Sequence, residues 1–387
     1  MATLPGPLES RLLRLLYCDG PLSRWELHEQ VGVRPSTVSA TVSALIDRGM
    51  LKQNESKPAY GRGRPPVPVE INDSGWGVLG LAIEPGRVSV GYLTPYGRVL
   101  GRTLSRKVSR SEAVVTDAKD LLERAMTDQV SAVGVSLPGL MDPVQHKLVL
   151  SAAAPGQLMV DLDPIYQAAN GCPVILENDM HAIAAQRLLT GSSSAEEDSL
   201  LVSVRDGAIG AAMLVDGKPN RGCVTGGNEL GHMRFDVKTD RCHCRREGCL
   251  ACIFSTRFMR SRDEKDAAAD STLTDRLATF DGHDPTVAMI LDYLAMALGN
   301  AINLIRPSRV ILIGEMLQPR LAQSYLAQRV RREMLPGLVG RVHLDISSSP
   351  APSPVEAAGW LALAATYYEE WRQNIYLPPE AQPAKRT

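Results

Sequence analysis

The chain begins with apolar residues that recur at a helical spacing. In LESRLLRLLY (8–17) leucines stand three or four residues apart, which predicts an amphipathic helix that ends at Gly20. Ser23 is followed three residues later by Glu26, and this capping box predicts a second helix that runs to about Gln30. The N-terminal segment is therefore expected to start with two short helices joined by a tight connection.

A third helix is predicted after a short turn that contains Gly32. Ser36 can cap this helix, and its apolar residues share one face: Val38, Val42, Leu45 and Ile46. Helix, four-residue turn and helix form the helix-turn-helix pattern. The opposite face has short side chains that permit close approach to base edges, and Arg34 in the turn can reach phosphate or guanine. The predicted DNA contacts are Arg34, Ser36, Thr37, Ala40 and Thr41. A small helical bundle with a solvated polar face is the alternative.

Two alternating segments follow the third helix. LKQNES and VPVEIN predict two strands of a hairpin wing, so residues 1–74 are predicted to form a winged helix-turn-helix domain. Between the strands, Arg62, Gly63 and Arg64 precede a proline and resemble the core of an AT-hook. In such a hook an extended Arg-Gly-Arg lies in a narrow A·T-rich minor groove. We predict minor-groove contacts for these three residues, with a solvated linker as the alternative.

The pattern changes to α/β after residue 75. GWGVLGLAIEPGRVSVGYLTPYGRVLGRTL predicts two or three adjacent strands, with turns at Pro85-Gly86 and Tyr96-Gly97. SAVGVSL and PVILEN predict buried strands, each followed by a more helical segment. A second set begins at SLLVSVRDGAIGAAMLVDG. Two α/β units in tandem predict a pair of lobes around a cleft.

Composition and charge narrow the class of protein. With 387 residues, 44% of them hydrophobic and 22% charged, the chain can form two or three globular domains. The net charge of −1 excludes a wholly basic nucleic-acid coat, yet residues 31–66 hold six cationic side chains against two acidic ones. The N-terminus lacks the apolar core of a signal peptide, and we recognise no membrane span, so we expect a cytoplasmic protein.

Four of the seven cysteines crowd into CHCRREGCLAC (242–252). In a cytoplasmic protein such a cluster indicates metal binding or catalysis rather than a disulfide. Cys242, Cys244 and Cys249 have C-x-C-x4-C spacing, and His232 precedes them by ten residues. One His and three Cys complete a closed tetrahedral Zn²⁺ site. Unmetallated thiols are the alternative, and Cys252 is left over as a buried or bystander thiol.

The motifs after residue 130 resemble those of the ROK family, which contains bacterial repressors and sugar kinases. GGNELGHMRFD followed by CHCRREGCL is similar to the family's metal-site motif, and ILENDMHAIA (175–184) to its END motif. VGVSLPGLMDP (133–143) is similar to its sugar-lobe loop, and ALGNAINLIRPSRVILIGE (297–315) to its late helix and strand. The resemblance implies an actin-like, ribonuclease-H-like two-lobed fold. An N-terminal winged helix followed by GRPP distinguishes the family's repressors from its kinases.

The resemblance also implies that phosphate binding is lost. Family kinases open the first lobe with a D-x-G-G-T-like turn that presents donors to phosphate. The matching stretch here is LAIEPGR, with Glu84 and Pro85 at the glycine positions. A carboxylate repels triphosphate, and proline removes a backbone donor. The second phosphate loop is altered to Arg205-Asp206-Gly207-Ala208, and GEM (314–316) replaces the adenosine loop, so we expect no catalytic residues and no kinase activity.

Sugar-binding residues are implied by the same resemblance. Asp179 stands where family kinases place the general base, and it can still accept a hydrogen bond from a hydroxyl. The implied ligand set is Gly139, Asn178, Asp179, Glu229 and His232; Asn178 and Glu229 could instead only cap local loops. Ala153 and Ala251 stand where the family commonly has Asn and Glu, which leaves two alternatives: an effector that is not an ordinary hexose, or a weakened or absent ligand response. His181 replaces a usual Asn and could contact an acidic or modified sugar.

The sequence thus predicts a cytoplasmic, zinc-containing regulator, most simply a repressor of carbohydrate genes. We expect it to bind double-stranded operator DNA as a homodimer or tetramer and to sense a sugar-like effector between its lobes. The expected domains are 1–74, a first lobe 75–187 completed by 366–387, and a second lobe 188–365 with the zinc site and the oligomerisation surface. The alternatives are an ATP-dependent sugar kinase with a DNA-binding appendage and a regulator that answers to a protein partner. The Pro-rich tail is assigned no function.

Overall fold

A computed structural model defines the fold. It describes residues 4–54, 67–142, 145–189, 198–220, 226–262, 271–317, 319–347, 352–368 and 375–376. Arg62, Gly63 and Arg64, the predicted minor-groove contacts, lie outside the described residues.

The N-terminal domain, called the head below, is a winged helix-turn-helix. Its elements are α1 (Pro7–Asp19), β1 (Leu22–Ser23), α2 (Arg24–Val31), α3 (Pro35–Asp47), β2 (Leu51–Gln53) and β3 (Pro68–Ile71). The three strands form an antiparallel sheet in the order β1-β3-β2. This is the predicted pair of wing strands with one extra short strand, contributed by the connection between α1 and α2.

The helix ends of the head follow the predicted caps, with one exception. Ser23 accepts a hydrogen bond from the Glu26 amide, and the Glu26 carboxylate accepts one from the Ser23 amide, so the capping box is confirmed. The third helix starts two residues earlier than predicted. Arg34 is its N-cap and Pro35 occupies the first helical position, where the missing N–H has no cost. Ser36 is therefore inside α3 and does not cap it.

The first lobe contains a sheet covered by helices. Its elements before residue 190 are β4 (Gly77–Glu84), β5 (Arg87–Leu93), β6 (Val99–Lys107), α4 (Val114–Ala125), β7 (Val130–Leu137), β8 (Leu140–Asp142), β9 (Lys147–Leu150), β10 (Val160–Asp161), α5 (Asp163–Ala168), β11 (Val174–Asn178) and α6 (Asp179–Leu189). The predicted strands from GWGVLG onwards are thus three, β4 to β6, which confirms the upper number.

The second lobe repeats this plan. Its elements are β12 (Ser199–Arg205), β13 (Ala208–Val215), β14 (Lys218–Pro219), α7 (Leu250–Ile253), α8 (Thr256–Arg262), α9 (Leu273–Ala278), α10 (Pro285–Ile305), β15 (Arg309–Ile313), α11 (Arg320–Glu333) and β16 (His343–Ser347). The last described elements are α12 (Pro354–Thr366) and β17 (Ile375–Tyr376).

The two main sheets have matching topology. The first runs β17-β11-β7-β4-β5-β6 and the second β16-β15-β12-β13-β14. In each sheet an antiparallel hairpin (β4-β5, β12-β13) adjoins parallel strands (β7 and β11, β15 and β16). A repeated sheet of this order is the ribonuclease-H-like arrangement, so the two-lobed α/β fold class is confirmed.

Helix α12 belongs to the first lobe. It packs on β4, β7 and α6, and all its residues except Pro354 and Glu356 are buried. Gly80 and Gly134 permit this approach, because an added Cβ would lie 2.1 Å from the Val355 carbonyl oxygen and 1.8 Å from that of Ala358. The boundary expected at residue 365 is therefore corrected to about 352, since α12 covers the first sheet.

One described helix, α10, is long and apolar enough to cross a membrane by length and composition. Its buried residues, among them Ile290, Leu294 and Leu298, pack in the core of the second lobe with α11. The core position of α10 explains its composition without a membrane.

Candidate functional site

A cavity of about 520 Å³ lies between the two lobes. The first lobe contributes the ends of β4, β7 and β11 and the start of α6, and the second contributes the β12-β13 turn and the segment before Cys242. All five predicted ligand residues line it: Gly139, Asn178, Asp179, Glu229 and His232. Carboxyl ends of strands on both sides of a cleft are a usual place for a ligand in α/β proteins.

Asp179 is the first residue of α6 and faces the second lobe across the cavity. Its Oδ1 accepts the Met180 amide at 3.0 Å, and its Oδ2 lies 3.7 Å from a guanidinium nitrogen of Arg205, at the end of β12. Burial raises the pKa of Asp179, and the Arg205 charge partly offsets that rise. The two lobes are thus connected by an ion pair at the position of the implied general base.

Asn178 serves the loops around the cavity more than the cavity itself. Its amide nitrogen donates to the Gly139 carbonyl oxygen at 3.0 Å, and its Oδ1 accepts the Met180 amide at 2.8 Å. Gly139 has φ +111°, and an added Cβ would lie 2.1 Å from the Leu150 carbonyl oxygen, so only glycine fits there. Asn178 therefore fixes the Gly139 loop and leaves few bonds for a ligand.

Glu229 joins the cavity to the cysteine cluster. Its Oε2 lies 3.6 Å from Nε2 of His232, while Nδ1 of the same ring is 3.5 Å from the Cys242 sulfur. Burial raises the pKa of Glu229, with His232 opposing and Asp179 adding to the rise. One imidazole thus faces a cavity carboxyl with one nitrogen and the thiol cluster with the other.

His232, Cys242, Cys244 and Cys249 come together as a possible metal site. Their ligand atoms all lie within 4.8 Å of one another, and the Cys244 and Cys249 sulfurs are 3.6 Å apart. Metal bonds of 2.0–2.3 Å place tetrahedral ligand atoms roughly 3.5–3.8 Å apart, so the donor set fits Zn²⁺. Gly248 has φ +77°, and an added Cβ would lie 2.2 Å from the Phe235 carbonyl oxygen. That glycine allows the chain to turn just before Cys249.

Cys252 stands on α7 beside this cluster. Its thiol hydrogen-bonds the Cys242 sulfur, an interaction that lowers the pKa of Cys242 and raises that of Cys252. Arg246 also donates from Nε to the Cys244 sulfur, at 3.5 Å. Both residues supply hydrogen bonds to sulfurs of the cluster, and the spacing of the motif gave no indication of either role.

The residues that the family resemblance assigns to the phosphate loops line the cavity. Glu84 and Pro85 line the cavity at the β4-β5 turn, and Arg205 and Asp206 line it at the β12-β13 turn. Both Asp206 carboxylate oxygens are engaged by Thr256, through its amide and its hydroxyl. These two turns therefore place two carboxylates, a guanidinium group and a proline along the cavity wall.

One residue noted from the sequence, His181, does not reach the cavity as expected. His181 is fully buried, and its Nδ1 lies 2.9 Å from Oε2 of the equally buried Glu177. It does not line the cavity, so the suggested contact with an acidic sugar is corrected. Ala251 does line the wall, and Ala153 is buried just behind Ala152. Neither alanine supplies a hydrogen bond to a ligand from its side chain.

The head presents a polar helix face to solvent. Arg34, Ser36, Thr37 and Ala40 are exposed, and Thr41 is half-buried with its hydroxyl bonded to the Thr37 carbonyl oxygen. Residues on the other face, including Val38, Val42 and Leu45, are fully buried. The predicted DNA-contacting side chains that lie in the described part of the head are thus available on one surface.

Arg24 orients that surface, and the sequence analysis missed it. One guanidinium nitrogen lies 2.9 Å from the Ser39 carbonyl oxygen, 2.8 Å from the Ser39 hydroxyl and 3.0 Å from the Ser43 hydroxyl. These bonds join α2 to α3 across the turn. Because Arg24 is fifteen residues before Ser39, no periodic signal in the sequence connects them.

Comparison with known proteins places these features in a family. The family described as "ROK family" matches residues 107–353. The Escherichia coli K12 protein named "DNA-binding transcriptional dual regulator NagC" is 23% identical over 329 residues, 79% of each chain. The "Xylose repressor" of Bacillus subtilis 168 is 25% identical over 318 residues, 79% of this chain and 82% of that one.

A solved structure shares the fold along nearly the whole chain. It is titled as a ROK family transcriptional regulator, homolog of the E. coli MLC protein. The superposition has a TM-score of 0.75 at 24% identity and covers 95% of this chain and 97% of the other. The agreement extends over the head as well as both lobes.

Proposed function

The chain belongs to the ROK family, and from that membership we propose that it is a sequence-specific transcriptional regulator, most simply a repressor of carbohydrate genes. The relatives named as regulators and repressors in the comparisons support this assignment. The head would bind a palindromic operator in double-stranded DNA, and a sugar-like effector would bind between the lobes. The protein would act in the cytoplasm as a homodimer or tetramer.

One observation supports a regulator over a kinase: a carboxylate and a proline stand at the β4-β5 turn, where the family resemblance places a phosphate loop. Arg205 reaches across to Asp179, and Glu84 and Pro85 form the opposite turn. A carboxylate at Glu84 repels phosphate, and Pro85 has no amide to donate. We therefore propose that the chain has no catalytic residues and no kinase activity.

We propose that the effector is held by hydrogen bonds to carboxyl groups. Asp179 and Glu229 face the cavity and can accept bonds from hydroxyls, whereas Asn178 and Gly139 shape the loop beside them. Each such bond contributes about 0.5–1.5 kcal/mol net. The alanines at 153 and 251 offer fewer partners than an ordinary hexose requires, so the effector has fewer free hydroxyls or a substituted one.

Zn²⁺ would be a structural cofactor, held by His232, Cys242, Cys244 and Cys249. Bound zinc would fix the ring of His232 through Nδ1 and so direct Nε2 at the Glu229 carboxylate. The role is positional, because the four donors leave no open coordination position for a substrate.

DNA recognition would combine two grooves. Arg34, Ser36, Thr37, Ala40 and Thr41 would enter the major groove, and Arg62, Gly63 and Arg64 would lie in an adjacent A·T-rich minor groove. Dimer symmetry would place two heads about one helical turn apart on the operator.

The deciding experiment measures DNA binding and catalysis with the same preparation. Duplexes selected by the chain from fragmented genomic DNA are titrated in a mobility-shift assay, and ADP release is followed over a panel of hexoses. We expect specific retardation and no ADP release above background. Substantial sugar-dependent turnover would make the kinase alternative correct, and the absence of any selected duplex would contradict the regulator.

Variants of the hook separate the two groove contacts. Arg62→Ala with Arg64→Ala should weaken binding about tenfold on A·T-flanked sites and much less on G·C-flanked ones. Arg331→Ala with Arg332→Ala removes the same charge from exposed positions of α11 and is the matched control. Equal losses in both double variants would contradict the minor-groove role.

A thermal-shift screen of sugars, sugar phosphates and amino sugars would identify the effector class.

A further inference from the structure

Helix α12 reaches from the cavity to the head. Its first residues, Pro354 and Ala357, line the cavity, and the Pro354 carbonyl oxygen accepts a hydrogen bond from Ser136 at 3.4 Å. At 1.5 Å per residue its thirteen residues extend roughly 20 Å. Its other end, with the two tyrosines that follow, lies under the head.

Trp360, midway along α12, and Tyr368, just after its end, hold the first helix of the head in an aromatic cluster. The Tyr17 ring on α1 has its centroid 5.7 Å from Trp360, 5.1 Å from Tyr368 and 6.0 Å from Tyr96. Burial raises the pKa of the Tyr17 hydroxyl, as expected for a ring that leaves water. Tyr17 is thus a side chain of the head inserted between α12 and the β5-β6 turn of the first lobe.

The cluster is fixed on its far side. Tyr368 donates from its hydroxyl to the Pro95 carbonyl oxygen at 2.8 Å, and Trp360 covers Gly97, where an added Cβ would lie 2.1 Å from the indole. Gly97 also has φ +72°, so any other residue would move both the turn and the indole. The position of Trp360 therefore determines the space available to Tyr17.

A second contact holds the segment of the head just before β2. Tyr367, just after α12, packs on Trp76 with ring centroids 4.3 Å apart. The Trp76 indole nitrogen donates to the Met50 carbonyl oxygen, next to β2 of the head, at 3.2 Å. The end of α1 and the segment before β2 thus both depend on side chains in or just after the second half of α12.

We propose that α12 transmits ligand binding in the cavity to the head and changes the position of the head on the first lobe. This inference rests on the proposed function, because it supplies the step from effector to operator. A ligand that presses on Pro354 or Ala357 shifts a rigid helix, and the shift reaches Trp360, Tyr367 and Tyr368 together. Tyr17 is the positioning residue on the head side; it lies outside the cavity lining and is not on α3, the helix predicted to contact DNA.

The test uses cavity-filling substitutions in place of the unidentified effector. Ala357→Leu adds a larger side chain at the cavity wall, and Ala322→Leu adds the same side chain at a fully buried position of α11. Hydrogen exchange of residues 7–19 and 35–47 is measured in the full, DNA-free protein. We expect Ala357→Leu to speed exchange in α1 roughly threefold, and Ala322→Leu to leave it within error. If Ala357→Leu does not fold, Pro354→Ala perturbs the same turn.

Variants at Tyr17 make the test specific. Tyr17→Ala should abolish the response of α1 to Ala357→Leu, whereas Tyr17→Phe keeps the ring and should preserve it. An α1 that ignores Ala357→Leu in the folded protein, or that responds equally to Ala322→Leu, would overturn the proposal. Since the exchange measurement uses no DNA, its outcome is separate from failure of the regulator assignment. On selected duplexes, the same pattern should appear as a threefold change in Kd.

Discussion

Asp179 is held where its charge is costly. Burial raises the pKa of this carboxyl above its value in the unfolded chain, and Arg205 only partly opposes the rise. The folded state therefore binds the proton more tightly than the unfolded state. The resulting contribution to stability is fully present at low pH and is lost as pH rises through the raised pKa. At neutral pH Asp179 consequently destabilises the fold.

Asp179→Asn should remove this cost. We expect a melting temperature about 1–3 °C higher than that of the parent protein at pH 8. The difference should shrink as pH falls toward the ordinary Asp value, where both side chains are neutral. Calorimetry from pH 4 to 8 checks the trend, with the exposed Asp128→Asn as control. An advantage that grew at acid pH would show that the pKa of Asp179 is not raised in the folded protein.

The cysteine cluster permits a prediction with an internal control. Cys244→Ser should lower the zinc content from about one ion per chain to none, because a closed tetrahedral site needs all four donors. Cys252→Ser should retain the metal, since Cys252 only hydrogen-bonds the Cys242 sulfur. Elemental analysis of protein purified without chelator decides. Equal zinc in Cys244→Ser and the parent protein would contradict the ligand assignment.

Single residues differ in how well the sequence reveals them. His232 and the three cysteines are predicted by spacing alone, since short loops force their donors together. The Arg205–Asp179 pair is not predictable in this way, because the two residues belong to different lobes and meet only after both have folded. His181 shows the opposite error: its type indicates a polar contact, but its burial directs it to Glu177.

At the level of elements, local sequence signals predict the helices of the head but not the tertiary hydrogen bonds that orient them. The Ser23 capping box and Gly20 determine where helices begin and end, so α1 and α2 match the prediction closely. The orientation of α3 depends on Arg24, whose bonds to Ser39 and Ser43 are tertiary. The apolar face of α3 is therefore predictable from the sequence, whereas its orientation relative to α2 is not.

Arg24→Ala should loosen α3 without unfolding the head. Its three hydrogen bonds each contribute about 0.5–1.5 kcal/mol, and we expect affinity for selected DNA to fall about three- to tenfold. Arg24→Lys keeps the charge but not the planar group and should lose nearly as much. Arg11→Ala, which removes a single bond to the Val31 carbonyl oxygen, is the control. A loss in Arg11→Ala equal to that in Arg24→Ala would contradict the bracing role.

Helix α12 illustrates why some elements escape sequence analysis. Nearly every residue of PVEAAGWLALAAT is buried, so it has no polar face from which to read its orientation. The glycines that receive it, Gly80 and Gly134, are more than two hundred residues away. Its expected assignment to the second lobe followed from order along the chain, and packing on the first sheet overrides that order.

For the whole molecule, the sequence predicts two lobes but does not predict which segments complete the first lobe. Strand β17 pairs with β11 and α12 covers β4 and β7, so the last elements complete the first lobe. Without α12, the apolar face of this sheet and the aromatic cluster below the head would be open to water. Burial of that face contributes roughly 25 cal/mol per Å².

The effect of a C-terminal truncation on folding should therefore depend on whether it removes α12. Removal of residues 354–387 should give an aggregated protein, because the first sheet loses its covering helix. Removal of 377–387 leaves both α12 and β17 in place and should give a soluble, folded chain. Size-exclusion chromatography and circular dichroism of the two products check this. A folded product of the longer deletion would show that α12 is not needed for the first lobe.

The closure of the first lobe by α12 also affects how the protein is made. As the ribosome extends the chain, the head can fold once its own residues have emerged, but β4 and β7 must wait for more than two hundred further residues. During that interval the nascent sheet exposes the surface that α12 later covers. We therefore expect chaperones to bind this lobe most during translation. The first lobe can complete its fold only after α12 has emerged from the ribosome.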